Sequence, residues 1–309
     1  GKSIKQLYDI TGRDVEVAIE KLRPGGIIAL ENVRFSPLEE KGSAQLGKVL
    51  ASYADYYVLE AFTNSHRDHA SMTKICQYIP GCMGINTEEN VKHLSLVGAK
   101  KPIYAILGGV KLETRIPLIE ALAKKAKKIL LGGAMVFTFL KAQGYGIGNS
   151  INDENYVKKA GELLKKYGNK LVLPEDIVVA DRRDKNARSM VVSAKEMPAG
   201  WIGMDNGPAS VETFGKIMSD AKTIVWNGAI GVFEIKKFAE GTKGIVKIMA
   251  KSSASTIVGG GDTSTSVKLF HASRRMTHVS SAGGASLTLL EGKKLPAVEA
   301  LKKSYRKFK

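Results

Sequence analysis

Gly259-Gly-Gly-Asp-Thr263 follows the β-branched run Thr256–Val258, and that order of residue types suits a phosphate ester. Glycines without a Cβ let backbone N–H groups approach phosphate oxygens, and Asp262 offers the hard oxygen ligand that magnesium prefers. The plainer reading makes Asp262 or Thr263 a helix cap that satisfies first-turn N–H groups, and both readings can hold together. Lys111 and Arg115 follow another glycine pair, Gly108-Gly109. One helical turn of separation would aim both cations at one phosphate, the alternative being a solvated surface pair. Further glycines stand at Gly132-Gly133, Gly228, Gly231 and Gly283-Gly284, again just after apolar runs. Strand-to-helix turns use glycine anyway, but five such loops exceed what turns alone require. Free N–H groups at helix N-termini bind anions, so the loops together predict a phosphate-lined shelf.

Such a shelf needs a parallel sheet whose carboxyl ends are level, because ligands of doubly wound sheets bind there. Short apolar runs predict strands at Ile27–Leu30, Tyr56–Leu59, Ile103–Leu107, Ile129–Leu131, Leu171–Leu173, Met190–Ser193, Thr223–Trp226, Thr256–Val258 and His278–Ser280. Between them, Arg115–Lys127, Asn152–Lys166, Ala209–Ser219 and Lys243–Ser252 carry apolar residues at helical spacing. Strands alternating with helices make a parallel sheet covered on both faces. The polar stretch Asn86–Pro102 has helical spacing and ends at a proline, which predicts an inter-domain helix and a boundary near residue 98. Several tempting motifs fail. Gly1-Lys-Ser3 lacks the rest of a P-loop, His66-Arg-Asp68 has no Asp-Phe-Gly partner, and His66, His69 and Cys76 lack a fixed fourth metal ligand. Gly144–Gly148 reads as a helix C-cap and turn.

At 309 residues, 44% hydrophobic and 25% charged, the chain suits two globular domains. A net charge of +17 draws polyanions, whether nucleic acid, anionic membrane or phosphorylated small molecules. The basic clusters Lys124–Lys128, Lys158–Lys166, Arg182–Arg188 and Lys302–Lys309 mostly fit solvated helix faces. Leu301–Lys309 is the best nucleic-acid candidate, yet no recognition motif accompanies it, so nucleic acid is not expected as a partner. Cys76 and Cys82 match no zinc spacing and are expected as small buried residues in a reducing compartment. The longest apolar stretch, Ile129–Leu140, is far short of the about 20 residues a membrane span needs, and no signal-peptide core is visible. A cytoplasmic monomer without membrane association is the expectation.

The motifs together resemble the phosphoglycerate kinase family. Leu30-Glu-Asn-Val-Arg-Phe35, Ala61–Ser71, Leu107–Arg115, Leu131–Gly144, Val225–Glu234, Gly259–Thr263, Gly283–Leu287 and Leu290–Pro296 stand in family order from about residue 27. The resemblance implies reversible phosphoryl transfer between 1,3-bisphosphoglycerate and ADP, giving 3-phosphoglycerate and ATP. It implies an α/β fold of two doubly wound, Rossmann-like parallel-sheet domains joined by a hinge helix, the N-terminal one incomplete. The domains would be a phosphoglycerate-binding part at 1–98, a nucleotide-binding domain at 99–290, and a segment at 291–309 returning towards the first. Arg34 and Arg67, with His66 shaping their loop, would hold the phosphoglycerate. Lys111, Arg115, Gly260, Gly261, Gly283 and Gly284 would surround the transferring phosphoryl. Nucleotide contacts would come from Gly109, Lys111, Arg115, Gly133, Gly203, Gly207, Asn227, Glu234, Gly260, Gly261, Asp262 and Thr263. Glu234 would take the ribose, Gly203 and Gly207 the adenine, and Asp262 a magnesium ion.

Departures from the family pattern qualify this. The family's opening Asp-Phe-Asn strand and its His-Leu-Gly-Arg segment have no counterpart in residues 1–26, which predicts a truncated chain. Leu59-Glu60, Thr63-Asn-Ser65, Ala229 and Ala282 replace other family residues. Arg115 stands where lysine is usual, and a fork is not a point charge. The alternative is a catalytically degenerate homologue that retains only nucleotide binding.

Overall fold

Residues 3–309 are described by a computed structural model; Gly1 and Lys2, part of the Gly1-Lys-Ser3 triplet, lie outside the described residues. The chain divides into two compact units, one holding the residues up to Val91 together with Lys293–Lys309, the other Lys92–Gly292.

The first unit contains β1 (Lys5–Gln6), α1 (Arg13–Glu20), β2 (Ile28–Ala29), α2 (Pro37–Glu40), α3 (Ala44–Ala51), β3 (Tyr57–Leu59) and β4 (Gly81–Met83). β1 pairs with β2 and β3 with β4, both parallel, as two separate two-stranded sheets. Ile27, Tyr56 and Val58 remain exposed beside these short strands. Ser43 starts α3 by accepting from the Leu46 N–H, and Ser36 does the same for α2 through Leu38. The division between the units falls within α4 (Ile85–Leu94) rather than near residue 98.

In the second unit β5 (Ile103–Leu107), α5 (Ile116–Ala123), β6 (Lys128–Leu131), α6 (Met135–Ala142), α7 (Val157–Tyr167) and β7 (Leu171–Val172) come first. β8 (Asp176–Ala180), β9 (Ser189–Ser193), β10 (Ile202–Asn206) and α8 (Pro208–Ile217) follow, then β11 (Thr223–Asn227), α9 (Glu240–Lys251), β12 (Ser255–Gly259), α10 (Gly261–Leu269), β13 (His278–Ser280) and α11 (Gly284–Leu290). Six strands form one parallel sheet in the order β13-β12-β11-β5-β6-β7. All five residues of β5 and of β11 are buried, as expected of central strands covered on both faces. Tyr104, Phe214 and Trp226 anchor the core on one side of that sheet.

The register carries the functional consequence. Leu131 pairs with Leu107, Leu107 with Asn227, Asn227 with Gly259, and Gly259 with Ser280. Five strands therefore end level, and every glycine loop noted above leaves the sheet on that edge.

Three expectations need correction. Met190–Ser193 belongs to no parallel alternation: β9 lies in a separate antiparallel sheet, β10-β8-β9. In β10 the residues Gly203, Asp205 and Asn206 break the apolar pattern, and pairing supplies what propensity does not, whereas β8 holds the unbroken apolar run Ile177–Ala180. The cluster Arg182–Arg188 is the loop joining β8 to β9, not a helix face. Cys76 is buried, but Cys82 is exposed, because it sits on the short β4 strand where little covers it. Among the described residues no helix is long and apolar enough to cross a membrane.

The chain closes with α12 (Pro296–Phe308), which packs within the first unit. Ser304 Oγ donates to the Ile79 carbonyl at 3.1 Å and Lys307 Nζ to the Gln77 carbonyl at 2.7 Å.

Candidate active site

At the level strand ends the loops hold one another. The Gly108 N–H donates to the Asn227 carbonyl, Gly109 to Ala229, Gly132 to Leu107, Gly133 to Ile230 and Gly260 to Ser280, all at 2.8–3.0 Å. Asn227 Nδ2 donates to the Gly259 carbonyl at 2.7 Å, and the Gly228 N–H donates to Thr263 Oγ1 at 2.7 Å. The glycines serve close backbone approach: a Cβ at Gly133 would stand 2.5 Å from the Ala229 oxygen, at a φ of +68°. This corrects the expected shelf of free N–H groups, because most of those N–H groups already have protein acceptors.

The free donors concentrate at the start of α10. Gly260, at φ 110°, is its N-cap, and no side chain caps it. Neither Asp262 nor Thr263 acts as the expected cap. Thr263, fully buried, turns its hydroxyl to Gly228, while Asp262 stays exposed in the first turn. An uncapped N-terminus with its positive dipole end suits an anion. Gly283 and Gly284 begin α11 in the same way, without a side-chain cap.

The single α-helical turn expected from Lys111 to Arg115 does not form. A 3₁₀ turn, Glu113–Arg115, precedes α5, so the segment is not one helix. Lys111 is exposed. The Arg115 guanidinium instead lies within about 3 Å of where Gly109 and Gly228 would carry a Cβ, and Nη1 donates to Asn227 Oδ1 at 2.5 Å. Burial pulls the Arg115 pKa down, with Asp262 and Glu291 opposing that shift. Its Nε has no protein acceptor, which leaves a buried donor available to a ligand.

A cleft of about 250 Å³ opens beside these loops. Gly109, Arg115, Gly133, Gly203, Glu234 and Asp262 line it, as do Phe137, Ile177, Ile202, Met204, Arg183 and Asp205. Asn227 is buried beneath it and holds Arg115. Of the two glycines expected at the adenine, Gly203 lines the cleft and Gly207 does not. Gly203 lies in strand β10 rather than in a loop, where a Cβ would strike the Phe137 ring. Gly207 is the N-cap of α8 beside the Asp176 carboxyl and does not line the cleft. Lys111, Gly260, Gly261, Thr263, Gly283 and Gly284 are not part of the lining either.

Asp205 was not foreseen. Its carboxyl accepts from the N–H groups of Gly241, Thr242 and Asn206, and burial still pushes its pKa up to about 7. Part of the apolar wall, Ile177, Ile202 and Met204, comes from the unforeseen strands. Phe137, inside the Leu131–Gly144 motif, and Ile230 and Val232, inside Val225–Glu234, line the same cleft and carry a sequence signal.

In the first unit the turn Val33–Phe35 is capped by Asn32, whose side chain accepts from the Arg34 N–H. Arg34 Nη2 donates to Asn64 Oδ1 at 2.8 Å. His66 is half-buried, and its Nδ1 has no partner. Burial, then the positive charge of Arg67, with a smaller contribution from Arg34, hold its pKa below the usual histidine range. Arg34, His66 and Arg67 thus share one neighbourhood, with both arginines at the surface. Folded His66 resists a proton that the unfolded chain accepts. Its contribution is full above about pH 6.5 and fades as the pH falls through that value. The first unit is expected to melt at lower temperature at pH 5.5 than at pH 7.5, and His66→Gln to remove a minor share of that difference in parallel melts.

The family model for phosphoglycerate kinase matches residues 1–293. The chain belongs to the phosphoglycerate kinase family. The phosphoglycerate kinase of Trichodesmium erythraeum is 43% identical over 308 residues, which cover 97% of this chain and 77% of that protein. A cytosolic phosphoglycerate kinase of Nicotiana tabacum is 43% identical over 310 residues, with the same coverage. Among solved structures, phosphoglycerate kinase from Coxiella burnetii superposes with a TM-score of 0.86 at 37% identity, over 97% of this chain and 77% of that one. The phosphoglycerate kinase of Pyrococcus horikoshii gives 0.89 at 30% identity, over 99% and 80%. The chain spans about three quarters of the length of these phosphoglycerate kinases.

Proposed function

We propose that this phosphoglycerate kinase family member transfers a phosphoryl group reversibly between 1,3-bisphosphoglycerate and ADP, giving 3-phosphoglycerate and ATP. One observation carries the nucleotide half: a single cleft with an apolar wall, the uncapped α10 terminus bearing Asp262 nearby, and Glu234 on its lining. That polarity matches a nucleotide, apolar base against the Phe137 and Met204 wall, sugar hydroxyls at Glu234, and phosphates at α10 and Arg115. Phosphoryl transfer asks a protein mainly for positioning and charge neutralisation, and no nucleophilic side chain is required.

Magnesium fits as a shared ligand rather than a caged one. Among the described residues no three His, Cys, Asp or Glu side chains converge. Asp262 would therefore hold the ion together with nucleotide phosphates, and the bound ion would neutralise phosphate charge. Arg34 and Arg67 are our candidates for the phosphoglycerate, with His66 kept neutral beside them. We read the enzyme as a cytoplasmic monomer, its surplus positive charge favouring anionic substrates.

An assay coupling ATP formation to 1,3-bisphosphoglycerate supply tests the proposal, and absence of turnover with intact ADP binding would overturn it. Arg115 supplies a second test. Arg115→Ala should weaken ADP binding about tenfold, the usual effect of losing one hydrogen bond to a charged group. Arg115→Lys should fall between, because it keeps the charge and loses the Asn227 bond. Titration calorimetry on the two variants separates these outcomes.

A further inference from the structure

The loop from β8 to β9 carries three arginines, and two are already engaged. Arg182 Nη1 and Arg188 Nε both reach Asp181 Oδ2, at 3.4 and 3.1 Å. Among the described residues no ion pair or hydrogen bond holds the third, Arg183, which is exposed and lines the cleft. Its place along the cleft follows from strand register. Arg183 stands three residues beyond Ala180, which pairs with Ile202 of β10. Ile202 and Met204 belong to the apolar wall, whereas Arg115 and Asp262 come from the glycine-loop side.

We propose that Arg183 covers the nucleobase, its planar guanidinium lying against the ring face opposite the apolar wall. The proposal rests on the nucleotide reading given above and adds a base contact from a loop outside the parallel sheet. A guanidinium is planar and weakly hydrated, so stacking on a π face costs it little solvation. The alternative for a free cation in such a cleft is a phosphate contact. The two differ in chemistry: a base contact acts on adenosine and on ADP alike, a phosphate contact on ADP alone.

Binding of adenosine and of ADP, each with and without magnesium, is to be measured for the full chain and for Arg183→Ala, Arg183→Lys and Arg182→Ala. Arg183→Ala is expected to weaken adenosine and ADP by the same factor, about three- to fivefold, the scale of an exposed cation–π contact. Arg183→Lys should recover part of the loss, and Arg182→Ala should bind as the parent does. Circular dichroism and melting of the exposed-loop variants should match the parent. An unchanged adenosine affinity in Arg183→Ala overturns the base contact, whatever happens to ADP. If the parent chain binds neither ligand, the nucleotide site itself is wrong, a different failure from an unresponsive Arg183.

Discussion

Asp262→Ala is expected to reduce the magnesium-dependent affinity for ADP by roughly two orders of magnitude, about 2.7 kcal/mol. Asp262 is exposed in the first turn of a helix whose N-cap Gly260 offers no side chain, and it lines the cleft. Magnesium bound through one or two carboxylates and substrate phosphates loses its protein anchor when the carboxylate goes. The helix N-terminus remains, so ADP without magnesium should bind as well as before or slightly better, one negative charge having left the cleft. Calorimetric titration with ADP in magnesium and in EDTA reads both arms. Equal magnesium enhancement in parent and variant would remove Asp262 from the metal. Asp262→Asn keeps the shape and one oxygen, and should recover only a minor part of the loss.

Trp226→Ala should have the largest effect on stability, about 3–5 kcal/mol in the second unit. Trp226 is fully buried in the central strand β11 and packs in the cluster that includes Tyr104, Ile106 and Val258. Truncation removes an aromatic volume that flanking strands cannot collapse to fill, because backbone pairing fixes them on both sides. The indole Nε1 also donates to the Gly228 carbonyl at 2.9 Å, two residues further along the same strand-to-loop passage. Gly228 in turn donates to Thr263 Oγ1, so the substitution should loosen the cleft as well as the core. Urea unfolding should show the lower midpoint, and ADP affinity of the folded fraction should fall. Trp226→Phe refills much of the volume but not the N–H, and should separate packing from anchoring.

Much of this molecule is legible in its residues alone. Continuous aliphatic runs closed by glycine mark β5, β11 and β12, because strands buried on both faces admit little else. The order of the glycine motifs located the ligand edge of the sheet, and Asp262, Glu234 and Arg115 were found there. β10 is not readable, since its polar interruptions become strand only when paired in the antiparallel sheet, whereas β8 carries the short unbroken apolar run Ile177–Ala180. Asp205 and the Ile177, Ile202 and Met204 part of the apolar wall belong to these strands, and Arg183 to the loop between β8 and β9.

What the sequence determined by itself is which residues stand at the carboxyl ends of the strands, since chain order and apolar runs suffice for that. What only the tertiary structure decided is which partner each of them takes. Glycine N–H groups that looked free for phosphate close the loops on one another. Thr263 anchors Gly228 instead of capping its helix, and Arg115 grips Asn227. Hydrogen bonds between residues 35 and 112 positions apart depend on sheet register, and register is set by burial of whole strands rather than by any local pattern.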